Sequence, residues 1–325
     1  MERISFKNIL VVGTGRMASG IATNLLKAGM QVQCISENTT QDKKYIADNV
    51  ADWKQYRNIT IGTDMLQYLS AVEEAGAADI AVCITGEDLP VKQKLIRQLE
   101  QTLSPETIIA VNTESILLET LQENTQYPQR IIGLNWCDPA HTTAFLEIIG
   151  NHLTPAGIIK SVETAAVNSW EKDPCIVLCG YSINARLMAA LAREALYLIE
   201  HGYASIEDID RACRNDAGYY LPFAGNCRYM DMMGTYAYGL VMKDLNRELS
   251  KEAQPPALFA RLIETGKTGM ENTGGFYNYA AGAGEQWEEQ FREFSFEIKE
   301  IIEKYPFNYL KEGSKMINSK ITLNE

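Results

Sequence analysis

The stretch Asn8-Ile-Leu-Val-Val-Gly-Thr-Gly-Arg-Met-Ala-Ser-Gly-Ile-Ala22 limits what this chain can fold into more than any other. An apolar run enters a glycine turn, and the turn enters a helix-forming segment. Gly13-x-Gly15-x-x-Ala18 has the spacing of a dinucleotide-binding turn, with alanine in the place of the last glycine. Gly13 permits the tight turn, and Gly15 lets backbone approach a pyrophosphate. A small residue at Ala18 lets helix and strand pack closely. Arg16 and Met17 stand where the helix begins, and the free N–H groups and positive dipole end there suit phosphate. An ordinary strand-to-helix turn is the plain alternative for the same residues.

The segments that follow bear on that choice. Residues 21–28 read as helix, stopped by Gly29, and 31–35 as a second strand. A dinucleotide fold places an acid about 20 residues past the glycines to hold ribose hydroxyls. Ser36 stands at the strand's end and Glu37 follows, so Glu37 is the candidate for that role. Serine in the usual place of aspartate weakens the repulsion of a 2′-phosphate, while no arginine follows at once to welcome one. The pattern favours NAD and leaves NADP open. Further on, the spacing predicts helix over 43–53, strand over 59–61, helix over 64–75 and strand over 79–84. Helix over 91–103, strand over 107–111 and a helix from about 115 come next. Strands over 130–134 and 144–149, a helix over 155–169 and a strand over 175–178 complete the series. Strands alternating with helices imply an α/β Rossmann-type domain with a mostly parallel sheet.

From Tyr181 no strand pattern remains. Helices are predicted over 182–200, 205–214, 229–249 and 256–264. The charged segment from 282 carries Trp287, Phe291, Phe294 and Ile298 at amphipathic spacing. The expected organisation is a dinucleotide-binding domain over 1–180 and an all-α domain over 181–325.

Net charge is −12, which argues against nucleic acid as a partner. No apolar run approaches the roughly 20 residues of a membrane span. The first residues run directly into the first strand, leaving no room for a signal peptide, and a cytoplasmic protein is expected. Seven scattered cysteines fit reduced thiols, and with three histidines in the chain no metal site is expected.

Several blocks, in order, resemble the 3-hydroxyacyl-CoA dehydrogenase superfamily over nearly the whole chain to about Tyr279. They are Val12-Gly-Thr-Gly-Arg-Met17 with Gly20-Ile-Ala22, Glu87-Asp-Leu-x-Val-Lys92, Val111-Asn-Thr113 and Gly133-Leu-Asn-Trp-Cys-Asp-Pro139. Asn184-Ala-Arg186, the run from Glu200 to Asp210, and Gly274-Gly-Phe-Tyr-Asn-Tyr279 complete them. The resemblance implies an all-helical C-terminal domain that dimerises, an active site in the cleft between the two domains, and hydride transfer to NAD. It also implies that Glu87, Lys92 and Asn112 stand near the nicotinamide.

The same resemblance implies a histidine base, oriented by a glutamate twelve residues later. Here Glu147 holds the glutamate's place, but the histidine's place holds Asn135, which has no useful pKa. Glu114 replaces the family serine, Asp138 replaces an asparagine, and Asn184 is kept. Ser36 and Ile59 are also too close in sequence for the helical pair that helps the family hold CoA. These departures suggest a small substrate without CoA. Glu114, Asp138 and Glu147 together suggest an acidic pocket suited to a cationic hydroxy or amino compound. Two residues are candidates for moving the proton. His141 is one, set against a plain surface histidine. Glu114 is the other, as a buried carboxylate or as a salt-bridge partner of Lys92. Asn135 and Asn184 are candidates for orienting the substrate. A 3-hydroxybutyryl-CoA dehydrogenase that tolerates Asn135, and a non-catalytic dinucleotide-binding protein, stay open as alternatives.

Overall fold

The computed structural model describes residues 6–305. The reading of the N-terminal residues 1–5, and of the second domain beyond 305, falls outside the described residues. The chain packs as two compact units. The first holds the described residues up to Leu191 together with Glu289–Phe296, and the second holds Ala192–Glu288 and continues from Glu297.

The first unit is built on β1 (Asn8–Val12), β2 (Gln31–Ile35), β3 (Leu66–Leu69), β4 (Ile80–Cys83), β5 (Ile108–Val111), β6 (Ile131–Trp136), β7 (Phe145–Ile149) and β8 (Asp173–Val177). Their order in the sheet is β3-β2-β1-β4-β5-β6-β7-β8. All neighbours run parallel except β6 and β7. Helices α1 (Arg16–Lys27), α2 (Thr39–Arg57), α3 (Leu89–Thr102), α4 (Leu118–Gln122) and α5 (Ala156–Asn168) connect the strands. Alternate strand residues point to opposite faces, so apolar runs in the central strands feed two cores. Ile9, Val11, Ile80 and Val82 join the core with α1, α2 and α5. Leu10, Val12, Ala81, Cys83, Ile109 and Val111 join the core with α3 and α4. Between β1 and β4 the strand order reverses, which opens the ligand crevice of such folds at the strands' C-terminal ends.

In the first unit one segment departs from the expected elements. Helix α2 runs on to Arg57, the third strand is β3 rather than 59–61, and no helix forms over 64–75 apart from a short 3₁₀ turn, Val72–Glu74. Leu66 and Leu69, three apart, fit helical spacing. Tertiary pairing overrides it: Leu66 and Tyr68 pack on one core, Leu69 on the other, and all pair in register with β2. Local chemistry sets other boundaries as expected. Asn38 caps α2 by accepting the Gln41 N–H at 3.2 Å, and Asp88 caps α3 by accepting the Val91 N–H at 2.9 Å.

The stretch Glu289–Phe296 belongs to the first unit because of one aromatic cluster. Phe296 is buried edge-on to Trp53, with ring centroids 5.1 Å apart, and stacked on Tyr56 at 5.0 Å. Arg292 donates to Asp52 at 2.8 Å, and the Thr142 and Ser295 hydroxyls are 3.0 Å apart.

The second unit is helical. α6 (Ile183–Glu200) leads into it, followed by α7 (Ile206–Ala212), α8 (Gly218–Met233), α9 (Thr235–Leu245), α10 (Ala257–Glu264) and α11 (Ala283–Lys304). The single helix expected over 229–249 is divided at Gly234, whose φ of 100° no helix can contain. None of the residues of α7, α9 or α10 is buried. No described helix is long and apolar enough to cross a membrane.

Candidate active site

The glycine turn lies at the C-terminal end of β1. Gly13 has φ 156°, and a Cβ there would sit 2.6 Å from the Ile84 carbonyl oxygen, so β1 and β4 close on it. Gly15 has φ 91°, the left-handed region, and open space where a side chain would be. Its backbone is therefore bare toward an approaching ligand. Helix α1 starts at Arg16, and its first turn leaves the N–H groups of Met17 and Ala18 without intrahelical partners. Ala18 is buried under the turn, as the close helix packing requires. The Thr14 hydroxyl accepts the Glu37 N–H at 2.9 Å and lies 3.4 Å from the Ser36 hydroxyl. The Glu37 side chain is exposed two residues past the end of β2. Bare turn, free helix N-terminus and exposed acid together fit a dinucleotide's pyrophosphate and ribose.

Beside the turn, the ends of β4 and β5 are locked by a buried lysine. The Lys92 ammonium, with no exposed surface, donates to the Asn112 carbonyl at 2.7 Å, the Asn112 side chain at 3.0 Å and the Thr85 hydroxyl at 3.2 Å. It also pairs with Glu87 at 3.3 Å. The other Glu87 oxygen accepts the N–H groups of Glu114, Ser115 and Ile116 at 2.8–3.0 Å. Burial alone would raise the Glu87 carboxyl, but those N–H donors and the Lys92 charge hold it below the usual carboxylate range. Burial pushes the Lys92 ammonium down, against the pull of Glu87.

Next to it, Asn135 and Glu147 face each other across the antiparallel β6–β7 pair, which explains their spacing in sequence. The Asn135 side-chain oxygen accepts the Thr113 N–H at 2.8 Å. Its NH₂ donates to the Thr113 carbonyl at 2.7 Å and to Glu147 Oε2 at 2.9 Å. Only this orientation of the amide pairs every donor with an acceptor. Glu147 Oε1 accepts the Ile183 and Asn184 N–H groups at 2.8 and 3.2 Å, the first turn of α6. A fully buried carboxylate is thus satisfied by three neutral N–H groups, two of them at a helix N-terminus.

Residues 8–179 match the family described as 3-hydroxyacyl-CoA dehydrogenase, NAD binding domain, and residues 180–279 match its C-terminal domain. The chain belongs to the 3-hydroxyacyl-CoA dehydrogenase family. It is an NAD-dependent oxidoreductase. A relative from Mesorhizobium japonicum, 5-formyl-3-hydroxy-2-methylpyridine 4-carboxylate 5-dehydrogenase, is 25% identical over 282 residues, covering 84% of this chain and 91% of its own. A 3-hydroxybutyryl-CoA dehydrogenase from Mycobacterium tuberculosis is 26% identical, covering 85% of this chain and 99% of its own. A crystal structure of an enzyme with the pyridine activity, an NAD⁺-dependent dismutase, superposes with a TM-score of 0.84 at 22% identity. It covers 92% of this chain and 99% of that one, a likeness of fold.

Within this family site, four expectations need revision. Asn135 has no N–H left for a substrate. Both of its amide hydrogens hold Thr113 and Glu147, so it braces the end of β6. Glu147 does not join an acidic cluster in want of a cation, because it is already satisfied by the N–H groups of Asn135, Ile183 and Asn184. Glu114 is exposed, not a buried carboxylate, and its N–H is held by Glu87. His141 is neither a surface residue nor poised to swing in. It is 2% exposed, beside Phe296, and burial with the Lys172 and Arg292 charges lowers it to about 3. The Asp138 carboxyl is raised by burial and drawn back by Arg16. Asn184 presents its N–H to Glu147, and its side chain is half-buried. Two residues escaped the sequence reading. Thr113 uses its backbone, which no pattern marks. Asp42 resembles any acid in the first turn of a helix.

Proposed function

We propose that this enzyme transfers hydride between NAD and a small cationic amino or hydroxy compound rather than an acyl-CoA. The observation that carries this reading is the full commitment of the Asn135 amide hydrogens and the Glu147 carboxylate to protein groups. The pair that holds the family's base and its orienting acid moves no proton here. An iminium already carries the positive charge that hydride neutralises, so its reduction to the amine asks no proton of residue 135. The carboxylates of Glu114 and Asp138, which follow β5 and β6, complement such a charge. Between β2 and β3 the single helix α2 stands where the family resemblance implies a CoA-holding pair. The Mesorhizobium relative is named for a pyridine aldehyde, which is small, nitrogen-bearing and free of CoA.

In this reading Gly13 and Gly15 let the pyrophosphate approach the backbone, and the start of α1 at Arg16, Met17 and Ala18 holds it. Ser36 and Glu37 hold the adenosine ribose, and Glu87, Lys92 and Asn112 form a rigid wall on the nicotinamide side. When bound, NAD supplies the hydride acceptor or donor. The protein's part is to position both reactants and to keep the wall from moving. A substrate panel read by NADH absorbance tests the proposal. Turnover is expected with cationic amines or amino alcohols, and none with 3-hydroxybutyryl-CoA. Turnover of the thioester without use of any cationic substrate sinks it.

The enzyme is further proposed to be a cytoplasmic homodimer, joined through its helical unit. Its seven cysteines are all free thiols. On α9, Leu240, Val241, Met242 and Leu245 are each about half exposed, and Met232 and Met233 at the end of α8 are more so. Apolar side chains exposed in this number suit a surface that a second copy covers. Size-exclusion chromatography with light scattering is expected to give two chain masses. Val241→Asp is expected to shift the population to one chain mass. A monomeric parent enzyme overturns the dimer.

A further inference from the structure

A negative charge lies buried directly beneath the turn that receives an anion. Asp42, in the first turn of α2, is 3% exposed, and its Oδ1 accepts the Gly15 N–H at 2.8 Å. The Ser19 hydroxyl donates to the Asp42 carbonyl at 3.4 Å, which ties α1 to the same turn of α2. Cys34 and Tyr68 border Asp42 together with Gly13, Ala18 and Ile46. The Asp42 charge is felt there: burial and Asp42 together push the Cys34 thiol up to about 12. The Tyr68 hydroxyl, buried and without a hydrogen-bond partner, is also raised, by burial first and then by Cys34 and Asp42.

Two consequences follow for NAD, and they oppose each other. The hydrogen bond fixes Gly15 at φ 91°, the conformation that bares the turn. It also consumes the Gly15 N–H, so the pyrophosphate is left to the N–H groups of Met17 and Ala18. The charge, meanwhile, repels the phosphates. A neutral acceptor would serve the hydrogen bond alone, so the carboxylate's charge is the feature to explain. We propose that Asp42 is a positioning residue for the cofactor: its carboxylate presets the glycine turn, and its charge loosens the hold on the pyrophosphate. The inference rests on the NAD assignment and not on the proposed substrate.

Titration of the substrate-free enzyme with NADH, followed by fluorescence, separates the two effects. Asp42→Asn keeps an oxygen for the Gly15 N–H and removes the charge, so Kd is expected to fall about threefold or more. Asp42→Ala removes the acceptor and strands the Gly15 N–H, so Kd is expected to rise about tenfold. A merely structural role moves both variants in the same direction. The proposal is overturned if Asp42→Asn binds NADH no more tightly than the parent, or if a folded Asp42→Ala binds it as tightly. Thermal unfolding of the cofactor-free proteins establishes which variants are folded. The near-isosteric Asp42→Asn decides alone should the alanine variant not fold. Because no substrate is present, a wrong substrate assignment leaves this result untouched.

Discussion

Glu147→Ala is expected to lower the free energy of unfolding by about 3–5 kcal/mol, the scale for stranding several buried donors at once. The Glu147 carboxylate is fully buried and accepts from Ile183, Asn184 and Asn135. Its removal leaves three donors without acceptors, each costing about 1–3 kcal/mol when water cannot replace the partner. It also removes a negative charge from the N-terminus of α6, where the helix dipole favours one. Glu147→Gln is expected to cost less, about 1–2 kcal/mol, because one oxygen can still serve the α6 N–H groups. The new NH₂ of the glutamine then meets the Asn135 NH₂, donor against donor. Asn135 cannot turn to relieve this, since Thr113 fixes its amide at both ends. Urea denaturation of the three proteins tests the order, with alanine below glutamine and glutamine below the parent. Equal stability of parent and alanine variant is the result that would overturn this account of the buried carboxylate.

The same residues mark what the sequence can and cannot disclose. The glycine turn is local, and so is the apolar run before it, so the NAD-binding fold is legible from Asn8 to Ala18. The alternation of runs and helices conveys the parallel sheet for the same reason. β3 is misplaced because Leu66 and Leu69 satisfy two periods at once, and only pairing with β2 chooses. The spacing of Asn135 and Glu147 is a hairpin distance, but the partners of Glu147 lie at Ile183 and Asn184, set by the fold and not by a pattern. Asp42 reads as an ordinary first-turn acid until α2 packs against α1 and brings it under Gly15. His141 reads as a loop residue until Phe296, far along the chain, covers it. In each case the missing information is a contact between distant segments, where burial changes what a polar side chain does.

His141 yields the second large effect, in the dependence of stability on pH. In the folded protein its ring is 2% exposed, and its Nε2 is buried with no hydrogen-bond partner. Burial resists a charge on it, the Lys172 and Arg292 charges add to that resistance, and protonation is held off to about 3. In the unfolded chain the ring protonates near its ordinary value of about 6.5. Between those values the unfolded state carries a proton that the folded state does not, so stability rises with pH and is lost as pH falls. The folding constant is expected to drop about tenfold per pH unit from this residue alone, approaching about 5 kcal/mol over the whole interval. Asp52 works in the other direction, because burial raises its carboxyl in the folded state. The contribution of His141 is therefore read as a difference between proteins. His141→Leu keeps an apolar filling beside Phe296 and removes the titrating ring. Denaturant unfolding from pH 3.5 to 7 is expected to show a shallower acid loss for this variant than for the parent, by that tenfold per unit. Identical slopes would mean that the ring is not held neutral in the fold. At pH 7.5 the variant is expected to retain hydride transfer, since a ring whose protonation is held off to about 3 is too weak a base to take a proton there.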